Sequence, residues 1–212
     1  MVSIEKSKSD EVCEEILDAA WARLNQYGLA KTTMVEIAQD CNMSAANLYR
    51  YFKNKNDIAG ACCERAMEIV ATKLRAVVRQ NNVSATEKLR QYALQLVESN
   101  LESNRDCGNV GELVANMTAN NVDILHKKLN VRQSLLAEIL AQGNANGEFE
   151  VADVMQVAET IYVSLVAFDV PIFVGIYPDD DYRRHASQVM DLILLGLNTN
   201  KSMNILQSVQ NS

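Results

Sequence analysis

Helical-period apolar stripes, separated by short polar breaks, run along almost the whole chain, and strand-like alternation is absent. Between Asp10 and Tyr27, the residues Val12, Ile16, Ala20, Leu24 and Tyr27 share one face, with Leu17 and Trp21 beside them. Gly28 ends this helix as a C-cap. Thr33 to Glu36 has the T-x-x-E spacing of a capping box, which predicts a second helix from Met34 with Ile37, Ala38 and Cys41 as its stripe. Asparagine enters the left-handed region cheaply, so Asn42 can stop that helix. Ser44 is a good N-cap for a third, Ala45 to about Phe52. The Asn42-Met43-Ser44 connection suits a helix-turn-helix. Asn54 starts a longer fourth helix, with Asp57 where its charge favours the N-terminus. Its stripe of Ile58, Cys62, Ala66, Ile69, Leu74 and Val77 runs to about Arg79, roughly 38 Å at 1.5 Å per residue.

Beyond the break at Asn81-Asn82-Val83, Ser84 to Glu87 forms another capping box. Leu89, Tyr92, Ala93, Leu96, Val97 and Leu101 mark a helix to about Asn104. A shorter helix is predicted from about Val110 to Asn120, and another from Val122 or Asp123 to Gln142. Gly143 to Gly147 reads as the clearest C-terminal break. Asp153 to about Val170 is very apolar, Pro171 should kink or end it, and Tyr177-Pro178-Asp179 is a turn. Asp180 to Asn198 is the last helix. The expected fold is all-α with about nine helices: a three-helix head at 1–54, a connecting helix at 55–80 and a helical body at 81–212. Residues 1 to about 9 read as a polar arm, and those from Thr199 as a polar tail.

Composition narrows the function. With 212 residues, 48% hydrophobic and 22% charged, the chain can bury a proper core. A net charge of -7 argues against a general nucleic-acid coat, yet leaves room for a local basic patch. From Cys41 to Gly60 three basic residues, Arg50, Lys53 and Lys55, face one acid, Asp57, a local balance of +2. The opening MVSIEKSKSD has no apolar run, so no signal peptide is expected and the cytoplasm is the expected compartment. The apolar run Ile161 to Tyr177 is shorter than the ~20 residues of a membrane helix and contains Asp169 and Pro171. The 5 cysteines show no CxxC spacing and read as reduced thiols. With 2 histidines, His126 and His185, neither a metal nor a cofactor is expected. Neither a Ser-His-Asp order, nor a glycine-rich phosphate loop, nor HExxH is present, so an enzyme is not expected.

The third helix carries the candidate chemistry. Its first turn, Ser44-Ala45-Ala46-Asn47, is small and polar enough to approach a surface closely, and such turns reach base edges in a major groove. Tyr49, Arg50, Tyr51, Lys53 and Lys55 follow and suit phosphate contacts. Lys55 at a helix start opposes the helix dipole unless an anion docks there. The alternative is a small core of Leu48, Tyr51 and Phe52 with a solvated basic face.

At these residues the chain resembles the TetR family of bacterial transcription regulators. The shared run is Thr32-Thr33, Ile37-Ala38, Ser44, Leu48-Tyr49-x-Tyr51-Phe52-x-x-Lys55, with Ile16-x-x-Ala19-Ala20 and Gly28 upstream. Asn42 departs from the usual glycine, and Ala45 and Ala46 replace a longer residue and a glycine, leaving Asn47 and Arg50 as polar base readers. The resemblance implies that Thr33, Tyr49 and Lys55 hold phosphates of double-stranded operator DNA. It further implies a homodimer built on the last two helices, for which Val189, Met190, Ile193, Leu194 and Leu197 are candidates. Two recognition helices would then meet half-sites ~34–36 Å apart or a multiple of that. It also implies a small-molecule effector in the body, for which Tyr92, Leu96, Met117, His126, Tyr162, Phe168 and Asp169 are candidates. A carboxylate in an apolar run needs a partner, and Asp169 is expected to meet either an effector or a basic residue such as Arg132. The expected function is a ligand-released repressor; the alternative is a helical adaptor or small-molecule-binding protein without DNA-binding activity.

Overall fold

The computed structural model describes residues 8–105 and 109–198, so most of the expected arm, the tail from Thr199 and Cys107 lie outside it. The described residues form nine α-helices and a 3-10 turn, with no strand. In order these are α1 Lys8–Tyr27, α2 Met34–Asp40, α3 Ala45–Leu48, α4 Lys55–Val78, α5 Ala85–Arg105, α6 Val110–Asn120, α7 Val122–Ala145, α8 Val154–Asp169, the 3-10 turn Pro171–Phe173 and α9 Asp179–Asn198. They divide into two compact units, residues 1–68 with 104–126 and residues 69–103 with 127–212.

The first unit grows from the expected stripes. Ile16, Leu17, Ala20 and Leu24 of α1 meet Met34, Ile37 and Ala38 of α2, Leu48 of α3 and Ile58, Ala59 and Cys62 of α4. The capping box forms in full: Glu36 N–H donates to Thr33 Oγ1 at 3.3 Å, and Thr33 N–H donates to Glu36 Oε2 at 2.9 Å. Asn42 stands at φ +54, the left-handed turn that the sequence calls for. Ser44 Oγ then accepts from Asn47 N–H at 3.2 Å and starts α3. This helix is shorter than expected, because Arg50 and Tyr51 N–H bond three residues back, to Asn47 and Leu48, and tighten the ladder into turns.

The expected division at residue 81 is revised, since α6 and the first turn of α7 belong with the head. Leu113 joins the head's core, Asn109 Nδ2 donates to Asn25 O at 3.1 Å, and Ala30 N–H donates to Glu112 Oε2 at 3.0 Å. Gly28, at φ +83, suits this close approach: a Cβ there would stand 2.9 Å from Glu112 Oε2.

The second unit packs Leu89, Tyr92, Leu96 and Val97 of α5 against Leu136, Ile139 and Leu140 of α7, with Ile161 and Leu165 of α8 and Met190 and Leu194 of α9. Ser84 Oγ accepts from Glu87 N–H at 3.1 Å, as expected of a cap. The reciprocal carboxylate comes from elsewhere: Glu148 takes Ala85 N–H at 2.8 Å and Thr86 N–H at 3.0 Å. Burial pushes the Glu148 carboxyl up, but the bonds from Thr86 and Ala85 outweigh it and hold it below the usual carboxylate range. Helix α7 runs through the expected break to Ala145, because Gly143 is buried and a Cβ there would overlap the Phe149 ring. The chain turns instead at Gly147, φ +74. Asp153 caps α8, accepting from Met155 and Gln156 N–H at 3.1 and 3.0 Å. Among the described residues no helix is long and apolar enough to cross a membrane.

Candidate nucleic-acid interface and buried polar cluster

A rigid platform carries the recognition helix. Leu48 is 0% exposed and locks α3 onto α1 and α2, while Tyr51 and Phe52 pack beside it half-buried. Ser44, Ala46, Tyr49, Arg50 and Lys53 face solvent, and Ala45 and Asn47 are half-buried. The first turn is thus open to a groove: Ala46 and Arg50 lie one turn apart on the outer side, and Asn47 leans on Met43, its Nδ2 4.0 Å from the sulfur. Thr33 is exposed, its Oγ1 donating to Glu36 Oε2 at 2.7 Å, and this bond, with that from the Thr33 N–H, holds Glu36 below the usual carboxylate range. Arg23 on α1 ties down α2, with Nε 2.5 Å and Nη2 3.0 Å from the two Asp40 oxygens and its guanidinium 5.2 Å from the Tyr27 ring centroid. Sequence reasoning missed this brace, although Arg23 and Tyr27 are one turn apart.

Lys55, expected as a phosphate contact, is held within the protein. Its Nζ donates to the carbonyls of Leu29, Thr32 and Ala30 at 2.8, 3.0 and 3.3 Å. Three carbonyl oxygens solvate the ammonium with the negative ends of their dipoles, which offsets the helix dipole without an anion. The effect is to fasten the first residue of α4 to the α1–α2 loop. That loop is also closed by Thr32 Oγ1, buried, donating to Gly28 O at 2.7 Å.

In the second unit a polar cluster lies within the apolar core. Asp169, at the end of α8, is buried, and its Oδ2 accepts from Tyr162 OH at 2.7 Å, Lys128 Nζ at 2.9 Å and Arg132 Nε at 3.4 Å. The pairing of Asp169 with Arg132 was one of the two outcomes expected; Lys128 was missed, although Lys128 and Arg132 are four residues apart on α7. Tyr92 OH donates to Arg132 O at 3.0 Å. Burial pushes the phenols of Tyr92 and Tyr162 above their ordinary value, so both serve as neutral donors. Asn100, also unexpected, donates to Phe168 O at 3.2 Å and to Tyr182 OH at 3.3 Å. Tyr92, Leu96, Tyr162, Phe168 and Asp169 therefore share one unit, as an effector site would need. Met117 and His126 do not: both belong to the first unit, Met117 buried in α6 and His126 exposed near the start of α7.

The candidate dimer residues also divide. Met190 and Leu194, 0% and 2% exposed, fill the body's own core, with Val189, Ile193 and Leu197 half-buried against it. Other apolar side chains of α8 and α9 stand in solvent, among them Val163 at 63%, Leu192 at 69% and Leu195 at 65%. A stripe of apolar residues marks a helix as amphipathic, but which edge faces inward is decided by its neighbours. Among the described residues no group of three or more His, Cys, Asp or Glu is placed to hold a metal.

A three-helix head with an exposed, capped recognition helix, followed by a larger helical body, defines a helix-turn-helix regulator. Residues 16–62 match bacterial regulatory proteins of the tetR family, and residues 85–190 match the tetracyclin repressor-like C-terminal domain. The chain belongs to the TetR family of transcriptional regulators. No curated protein matches it. Solved structures do: a transcriptional regulator from Cytophaga hutchinsonii is 22% identical, covering 88% of this chain and 98% of its own, with a TM-score of 0.69. The fatty acid degradation regulator FadR from Bacillus halodurans is 20% identical, covering 91% and 98%, with a TM-score of 0.64. SmeT, the repressor of the Stenotrophomonas maltophilia multidrug efflux pump SmeDEF, is 20% identical, covering 89% and 91%, with a TM-score of 0.64. At these identities the likeness is one of fold.

Proposed function

We propose that the protein is a homodimeric repressor that binds operator DNA through α3 and releases it when a small molecule occupies the body. The exposed first turn of α3, locked in place by Leu48, carries this reading. Ala46, Asn47 and Arg50 are the base-reading candidates, and Tyr49, Lys53 and the exposed Thr33 are the phosphate-contact candidates. Dimerisation is supported by the solvent-facing Val163 and Leu192, apolar surface that a four-helix contact with a second copy would cover. The effector reading is supported by the polar cluster around Asp169, and SmeT has been solved as a complex with triclosan. An effector acts by binding one arrangement of the protein better than the one that fits the operator. Such a regulator works in the cytoplasm, where bacterial DNA lies.

The test begins with genomic fragments retained by the purified protein, titrated against salt with Arg50→Ala and Lys53→Ala. A DNA-reading head gives a steep salt dependence; Lys53→Ala weakens it by about 0.9 in log–log slope through one lost phosphate contact, and Arg50→Ala lowers affinity for the retained fragments through a lost base contact. Retention that is flat in salt and blind to both variants would favour the helical adaptor.

A further inference from the structure

We infer that each half-site of the operator presents a guanine and a thymine about two base-pair steps apart in its major groove, Arg50 taking the guanine and Ala46 the thymine methyl. This rests on the DNA-binding reading and gives the operator a chemical identity. Along α3 and the turn that follows, Leu48 is fully buried, Ala45, Asn47 and Tyr51 are half-buried, and Ala46, Tyr49 and Arg50 are exposed. Asn47 is turned toward Met43, its Nδ2 4.0 Å from the sulfur, so the outward pair one turn apart is Ala46 and Arg50. The backbone beneath them is fixed by its own bonds. Ser44 Oγ accepts from Asn47 N–H at 3.2 Å, Tyr49 N–H donates to Ala45 O at 3.0 Å and Arg50 N–H to Asn47 O at 3.1 Å.

The chemistry of each side chain selects its base. Among the described residues Arg50 forms no hydrogen bond or ion pair, and the acids of α2, Glu36 and Asp40, are held by Arg23 at 3.4 and 2.5 Å. A guanidinium carries donors only. In the major groove guanine alone offers it two acceptors, N7 and O6, whereas adenine and cytosine each present an amino donor that opposes it. Ala46 ends in a methyl group, and the one apolar group on a major-groove edge is the C5-methyl of thymine. Tyr49 and Lys53, also exposed, are left for the phosphates beside the groove. The spacing follows from the helix. Four residues at a rise of about 1.5 Å span about 6 Å, and base pairs stack about 3.4 Å apart.

Selection of duplexes from a random library by the full-length protein, followed by single-atom changes in the selected site, tests the assignment. Fluorescence anisotropy compares the selected duplex with one carrying deoxyuridine for a single thymine, which removes the methyl, or 7-deazaguanine for a single guanine, which removes N7. Wild type is expected to bind the deoxyuridine duplex about 4-fold more weakly, as one buried methyl group requires. Exchanging the G·C pair for A·T should cost it roughly 5- to 150-fold, part of which 7-deazaguanine reproduces. Arg50→Ala should bind the G·C and A·T duplexes alike yet still tell thymine from deoxyuridine, and Ala46→Gly should do the reverse. Each comparison is a ratio within one protein, so stability lost to a glycine in α3 cancels, and the wild-type ratios stand without either variant. The assignment is overturned if the selected site lacks a guanine and a thymine at that spacing, if deoxyuridine or 7-deazaguanine costs wild type nothing, or if Arg50→Ala keeps the guanine preference. Binding steep in salt that selects a different sequence, or none, refutes the base assignment alone. Binding flat in salt refutes the DNA-binding reading and the assignment with it.

Discussion

Lys55 distinguishes a residue that touches DNA from one that positions what touches it. Replacing it with Met keeps the aliphatic stem and removes the three bonds to Leu29, Thr32 and Ala30 carbonyls. The bonds to Leu29 and Thr32 are part-buried and that to Ala30 is exposed, so water replaces the last at little cost. Hydrogen bonds to a charged group are worth about 1.5–3 kcal/mol each, and sharing one ammonium discounts the pair, giving a loss of about 2–3 kcal/mol. For a chain of this size that lowers Tm by roughly 5–10 °C. Freed from α4, the α1–α2 loop no longer sets Thr33 and α2 against α3, and DNA affinity falls as well. The salt dependence separates the two roles. A lysine that neutralises a phosphate adds about 0.9 to the slope of log K against log[salt]. Lys53→Met, at an exposed position, should therefore flatten the slope, whereas Lys55→Met should weaken binding with the slope unchanged. The assay is fluorescence anisotropy on a retained genomic fragment across a salt series. A Lys55→Met slope flattened as much as that of Lys53→Met, with Tm unmoved, would refute the clamp and restore the phosphate contact.

Leu192→Glu or Val163→Glu should turn a dimer into a monomer by sedimentation while leaving the helical circular dichroism unchanged, whereas Met190→Ala should cost about 2–5 kcal/mol of stability instead. Glu148→Gln should cost about 1 kcal/mol at pH 7 in urea unfolding. Because the folded carboxyl of Glu148 is held below its ordinary value of 4.5, its contribution is present above that pH and lost as pH falls through the folded value, so variant and wild type should converge in acid. Burial, the largest cause, pushes the Cys62 thiol up to about 12, so at pH 8 it should resist alkylation by iodoacetamide in the native protein, and labelling as fast as in urea would refute its burial.

Much of the head was legible in the sequence because its signals are local. A capping box, a left-handed asparagine and a serine cap act within three or four residues, and all three formed at Thr33, Asn42 and Ser44. The helix order followed from the same short-range periodicity. Apart from the Asp169–Arg132 pair, what escaped was set by residues far apart. Glu148 caps α5 from 62 residues or more away, and Phe149 makes Gly143 a buried helical residue rather than a break.

The chain alone determined that this is an all-helical regulator with a helix-turn-helix head, since hydrogen-bonding caps and apolar periods need only near neighbours. Tertiary structure decided which side of each stripe is core and what each charge is for. It turned Met190 and Leu194 inward and left Leu192 outward, gave Lys55 to backbone carbonyls and gathered Lys128, Arg132 and Asp169 in one dry place. The physical reason is that burial and charge compensation depend on every group within a few ångströms, and most of those groups come from distant parts of the chain.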